Sequence, residues 1–291
     1  MEKKYDIFVE CTDAHCNVLE EGISELYNQW KRQGKDCRKL QKFMDFVEEN
    51  SCLSVNFRDE DIQQFLEDDA IPTRNDVSDR KSRQFGSSPD AEKAVRSGPY
   101  DKDRNVFDTR IKDARDFRYL SLIIPNNSLG NRRYGFWHCR TKVRYKDLTW
   151  KDKVRFLRHN SLHGKHGYVV EKEDKNSDID RERLAKETGC WRCVHFIVAM
   201  KFKDALEECD PNEWASLFPD PNDPKDHIEA LTKEEVPPSE FKVFTMRKEY
   251  EWYLNHESSI ETLPAAVKEI TETIIKIVRM LDDKNIDLEQ V

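Results

Sequence analysis

A mainly α fold, a helical bundle with a few short strands and one long polar loop, is what this sequence predicts. Apolar residues recur at three- and four-residue steps in several long segments, the spacing of amphipathic helices. Only short stretches alternate or run apolar as strands do, at 52–57, 119–124 and 168–170. Between them, residues 71–117 are polar, charged and punctuated by Gly86, Pro89, Gly98 and Pro99.

The elements follow in order. Cys16, Leu19, Ile23, Leu26 and Trp30 make one apolar stripe, and Asp13 is placed to cap its helix. A second helix is expected over 36–50, with Leu40, Phe43, Met44 and Val47 inward, then a strand over 52–57 and a short helix over 59–68. Residues 71–117 read as a linker or mobile loop. It separates an N-terminal helical region, 1–70, from a basic helical region, 118–291. In the latter, 119–124 reads as a buried strand. Thr149 is placed to cap a helix over 150–158, and another helix is expected over 180–208. Six prolines between 209 and 238 predict an extended loop, and two last helices are expected over 239–254 and 263–283. In the final helix Val267, Ile270, Ile274, Ile277 and Leu281 form a near-heptad seam, either docked on the core of its own domain or paired with a second copy.

The chain has 291 residues, 36% of them charged, and a net charge of −8. No run approaches the roughly 18 apolar residues that a membrane span needs. No apolar signal region follows the N-terminus, so the sequence reads as a cytoplasmic protein without a membrane partner. Eight scattered cysteines do not form a disulfide framework, and reduced thiols are the default. Phosphate-loop, nucleophile-elbow and kinase signatures are missing.

The charge is unevenly distributed. Between residues 131 and 158 stand ten cations, Arg132, Arg133, Arg140, Lys142, Arg144, Lys146, Lys151, Lys153, Arg155 and Arg158, against Asp147 and Asp152. That is +8, which leaves about −16 for the rest of the chain. Cations bind phosphate by charge and counterion release, and rings give bases a stacking surface. Tyr134, Phe136, Trp137, Tyr145, Trp150 and Phe156 are interleaved with these cations. The segment reads as a surface for RNA; the alternative is that the rings are core and the cations a solvated face.

Inside it lies Arg158-His159-Asn160-Ser161-Leu162-His163-Gly164. An Arg beside a His, without metal, suits RNA cleavage. The imidazole exchanges a proton near neutral pH, the guanidinium holds the phosphate, and RNA supplies its own 2′-hydroxyl nucleophile. A second Arg-x4-His pair, Arg133 and His138, falls in the same segment. On an ideal helix residues five apart diverge by about 140°. The two side chains therefore converge only where a helix starts or ends within the motif, or where a partner completes the site.

The Arg158–His163 element resembles the motif of the HEPN ribonucleases: an Arg, commonly a polar residue next, and a His four to six residues on. The match spans seven residues. That resemblance implies a helical bundle, Arg158 and His163 as catalytic residues, His159 positioning them, and a homodimer with a composite site. It also implies a toxin or antiviral role, with an antitoxin or other regulatory partner. No cofactor would be required, and the products would be a 2′,3′-cyclic phosphate and a 5′-hydroxyl.

Cys190-Trp191-Arg192-Cys193-Val194-His195 is the competing site. Its C-x2-C-x-H spacing suits zinc, with Cys139, His138, His159, His163 or His166 as a fourth ligand. The alternative is a helix with buried thiols on its apolar face. Three functions therefore stand: a metal-independent endoribonuclease, a non-catalytic nucleic-acid-binding regulator and a zinc-dependent nuclease.

Overall fold

The computed structural model describes residues 5–8, 12–73, 107–109, 111–125, 135–159, 169–171, 184, 186–218 and 227–290. The apolar spacing of the first seventy residues forms α1 (Asp13–Arg32) and α2 (Arg38–Asn50). Leu19, Ile23, Leu26 and Trp30 of α1 are buried, as are Leu40, Phe43, Met44 and Val47 of α2. The N-cap of α1 is Thr12, and Asp13 instead opens the first turn, where its charge suits the helix dipole. β1 (Cys52–Phe57) and α3 (Asp59–Asp68) have the expected bounds. Of the 71–117 segment, residues 74–106 and 110 lie outside the described residues. Beyond them come β2 (Phe107–Thr109) and β3 (Arg118–Ile123), the latter within a residue of the strand expected at 119–124.

The rest of the chain overturns the mainly α bundle. It contributes β4 (Trp137–Thr141), β5 (Val154–Leu157), β6 (Val169–Glu171), β7 (Thr188–Gly189), α4 (Val194–Glu208) and the short α5 (Trp214–Leu217). After these come β8 (Ile228–Thr232), β9 (Phe241–Thr245), α6 (Tyr250–Asn255), α7 (Ala265–Asp283) and β10 (Leu288–Gln290). Eight strands form one sheet in the order β10-β9-β4-β1-β3-β8-β5-β7, antiparallel except for the β9–β10 pair. β2 and β6 pair separately, antiparallel. The fold is mixed α/β. β1, from the first seventy residues, lies between β3 and β4.

Three expected helices are corrected with it. The helix over 150–158 is a single 3-10 turn, Lys151–Lys153, followed by β5. The alternation of Val154 and Phe156 with Arg155 and Leu157 fits a pleat paired on both sides. The helix over 180–208 is interrupted: Leu184, Lys186 and Glu187 are helical, Thr188 and Gly189 pair with β5, and α4 begins at Val194. The helix over 239–254 is a strand, β9, then the short α6. The proline-rich stretch expected to be a loop contains β8, a strand paired on both edges.

The register puts alternate residues of every main strand on a common face. Leu53 and Phe57, Leu120 and Leu122, Trp137 and Cys139, Val154 and Phe156, Ile228 and Ala230, and Phe241 and Val243 share one face. They join the buried residues of α1, α2, α3, α4 and α7 in the principal core. The opposite face carries Ser54, Asn56, Ser121, His138, Arg140, Arg155 and Glu229, with a smaller apolar cluster of Ile7, Ile111, Phe117, Leu157, Leu184 and Leu231.

Gly135 fixes the start of β4. Its φ is +130°, and a Cβ there would lie 1.9 Å from the Phe57 carbonyl oxygen, so only glycine fits between β4 and the end of β1. At the other end of the chain Ile274, Ile277 and Leu281 of α7 are buried, while Ile270 is 39% exposed. Lys276 pairs with Glu67 at 2.9 Å and Lys284 with Asp69 at 2.9 Å, tying α7 to α3 and its C-cap. Among the described residues no helix is long and apolar enough to cross a membrane.

Candidate nucleic-acid interface and thiol cluster

The strand alternation that builds β4 and β5 sorts the basic segment into core rings and peripheral cations. Trp137, Tyr145 and Phe156 are fully buried. The Trp137 indole donates to Asp59 at 2.7 Å, and Tyr145 meets Phe156 edge to face at 4.8 Å. None of these rings presents a face on which a base could stack. Phe136 and Trp150 are half-buried against the core, and Arg247 stacks 4.1 Å above Phe136.

The cations divide in turn. Arg155 is buried and donates to the carbonyls of Asp152 and Val154, and Arg140 stacks on Phe244 at 4.7 Å. Lys151 donates to the Lys146 carbonyl and lies 4.6 Å from the centre of the Trp191 ring. Arg144 and Lys146 both reach Glu49 at the end of α2, at 3.1 and 2.6 Å. The Lys146 hydrogen bond and charge, helped by Arg144, hold the Glu49 carboxyl below the usual range. Lys142, Arg144 and Lys153 are exposed. Arg132 and Arg133 lie outside the described residues. What remains is a turn between β4 and β5, residues 142–153, that presents its cations beside the exposed Asp147 and Asp152, with Trp150 half-buried among them.

Arg158 follows β5 directly. Its Nη2 donates to the Met200 carbonyl at 3.0 Å, and its Nη1 is 3.9 Å from Glu187. Lys201 of α4 donates to the Arg158 carbonyl at 3.0 Å and approaches His159 Nδ1 at 3.3 Å. An ammonium can only donate, so Nδ1 accepts and the imidazole proton sits on Nε2. Arg158, His159, Glu187 and Lys201 thus meet at the end of one strand. His163, the other expected catalytic residue, lies outside the described residues, as does Arg133. His138, the other half of the second Arg-x4-His pair, is buried in β4.

The cysteine motif gains a member that its spacing did not announce. The Sγ atoms of Cys16, Cys190 and Cys193 lie within 4.8 Å of one another. Cys190 precedes the 3-10 turn Trp191–Cys193, Cys193 is the N-cap of α4, and Cys16 lies one turn into α1. Arg192 hydrogen-bonds the Cys190 sulfur and pairs with Asp13 at 3.0 Å, which raises its pKa. His195 does not join the group. Its ring packs on Phe196 at 4.1 Å, and burial lowers its pKa against the pull of Glu48, Asp45 and Glu20. His138 and Cys139 lie in β4, and neither joins the three sulfurs. Cys16 had read as the first residue of a core stripe; only the packing of α1 against the start of α4 brings its sulfur beside the other two.

A third feature was not anticipated. On the polar face of the sheet, His138 Nδ1 donates to Asn56 Oδ1 at 2.6 Å. Among the described residues its Nε2 is buried with no partner, as is the hydroxyl of Ser54 on the neighbouring strand. Burial, then the charge of Arg140, pushes the His138 pKa down to about 3, so the ring is neutral. The signal was present in the alternating polar residues of Ser54, Asn56, His138 and Arg140, but it becomes legible only once β1 and β4 are known to pair. No protein-family model matches the chain, and no curated protein matches it.

Proposed function

We propose that the protein binds RNA through the turn at 142–153. The observation that carries this reading is the collection of Lys142, Arg144, Lys146, Lys151 and Lys153 on one short turn at exposed or half-exposed positions, with every large ring of its strands turned inward. Such a surface meets phosphates and does not read bases, so binding is strongly salt-dependent and tolerant of sequence. Arg144 and Lys146 share a single carboxylate, Glu49, and exchanging it for phosphate costs little because exposed ion pairs are weak.

A second reading adds cleavage, favoured by the meeting of Arg158, His159 and Lys201. Nη2 of Arg158 is pinned to Met200, while among the described residues Nη1 has only the long contact to Glu187 and can turn to a phosphate oxygen. His159 lies beside Arg158, with Nδ1 against Lys201. In this reading His163 exchanges the proton of the 2′-hydroxyl. The helical bundle that the motif resemblance implied is not part of it, since Arg158 follows a strand.

One experiment separates the two readings. Labelled RNA is incubated with the parent, Lys142→Glu/Arg144→Glu and His163→Ala in EDTA, and both retention and fragment ends are measured. Binding lost in the double variant supports the interface. Cleavage by the parent that His163→Ala abolishes, leaving cyclic phosphate ends, supports the second reading. Equal binding by parent and double variant would falsify the first.

A further inference from the structure

We infer that Cys16, Cys190 and Cys193 bind a zinc ion that fastens the first turn of α1 to the start of α4. The three sulfurs lie within 4.8 Å of one another. Sulfurs on a tetrahedral zinc at about 2.3 Å are separated by about 3.8 Å, so a small contraction closes the set. Cys190 and Cys193 are brought together by a 3-10 turn, and Cys16 arrives from a helix 174 positions earlier in the chain.

The surroundings suit thiolates. Cys193 caps the N-terminus of α4, and Cys16 lies one turn into α1, so the positive ends of two helix dipoles are close to the sulfurs. Arg192 hydrogen-bonds the Cys190 sulfur. Each thiol gives up its proton to solvent as it binds, and three thiolates with one Zn²⁺ leave a single negative charge for Arg192 to balance. Among the described residues no fourth His, Cys, Asp or Glu joins the group. This site differs from the sequence motif, which offered His195 in place of Cys16.

The test uses the full chain, purified reduced and exchanged into buffer with a small excess of zinc or cobalt. We expect about one zinc per chain after desalting, and with cobalt the sulfur-to-metal charge-transfer band and intense visible bands of a tetrahedral thiolate site. Cys16→Ser should weaken metal retention by about tenfold or more, while Cys37→Ser, changed at a thiol outside the cluster, should retain it. Should Cys16→Ser fail to fold, alkylation of the parent decides: zinc should protect Cys16 but not Cys37, and chelator should remove the protection. No bound metal and no cobalt–sulfur band from reduced parent would overturn the inference. So would equal metal retention by Cys16→Ser and Cys37→Ser, or alkylation of Cys16 that zinc leaves unchanged.

Discussion

His138 of β4 and Asn56 of β1 are cross-strand partners, and the imidazole Nδ1 donates to the amide oxygen at 2.6 Å. The bond fixes the ring and leaves Nε2 as a buried acceptor. Protonating it would put a charge beside Arg140 inside the fold, and its pKa falls from 6.5 to about 3. The native chain refuses a proton that the unfolded chain accepts between these values. The contribution is therefore fully present above about pH 6.5 and is lost as the pH falls towards 3. Between pH 7 and 5 the parent should lose about 2 kcal/mol more than His138→Gln, measured by urea unfolding at both pH values. Equal losses would mean that His138 is not the group that titrates.

The helices of the first seventy residues were legible because each makes its own pattern. Leu40, Phe43, Met44 and Val47 are core residues of α2 at helical spacing whatever the rest of the chain does. β8 and β9 were not. Ile228–Thr232 and Phe241–Thr245 are five residues each, in a stretch dense with proline and charge, and only their distant partners make them strands. The same holds for the site. The positive charge of residues 142–153 could be read from composition, but whether Trp137 and Tyr145 faced solvent depended on the pairing of β4 with β1 and β9. Cys16 joined Cys190 and Cys193 through packing alone.

Trp137 separates a stacking surface from a core. Its side chain is fully buried and donates to Asp59, which also pairs with Arg247. Trp137→Ala should cost about 3–5 kcal/mol of stability. Trp137→Phe should keep the parent's RNA affinity while losing about 1–3 kcal/mol, because Asp59 is deprived of its indole donor. A Phe variant of unchanged stability that bound RNA more weakly would put the ring at the interface instead.

The seam of α7 faces α3 and the sheet in its own chain. Ile277 is fully buried, whereas Ile270 is 39% exposed. Ile277→Ala should lose about 2–5 kcal/mol in urea unfolding. Ile270→Lys should change stability by no more than about 0.5 kcal/mol and leave the mass in solution unaltered. Conversion of a parent dimer to monomer by Ile270→Lys would instead make this helix a seam between copies.

Salt distinguishes a cation that touches phosphate from one that only adds to the net charge. Lys142, Arg144 and Lys153 are exposed on the turn, while Arg155, two residues from Lys153, is buried and donates through Nη1 to two main-chain carbonyls. With single-stranded RNA, each lost phosphate contact lowers the slope of log affinity against log salt by about 0.7. Changing Lys142, Arg144 and Lys153 together to Gln should therefore lower the slope by about 2, with little effect on stability. Arg155→Gln removes one charge as well, but it should leave the slope as it is and cost about 1–3 kcal/mol of folding, since it strips the Asp152 and Val154 carbonyls of their donor. Titrations of labelled RNA at several salt concentrations, alongside urea unfolding, read both quantities. If Arg155→Gln flattened the slope as one of the surface cations does, the affinity would follow the charge of the whole protein and not contacts made by this turn.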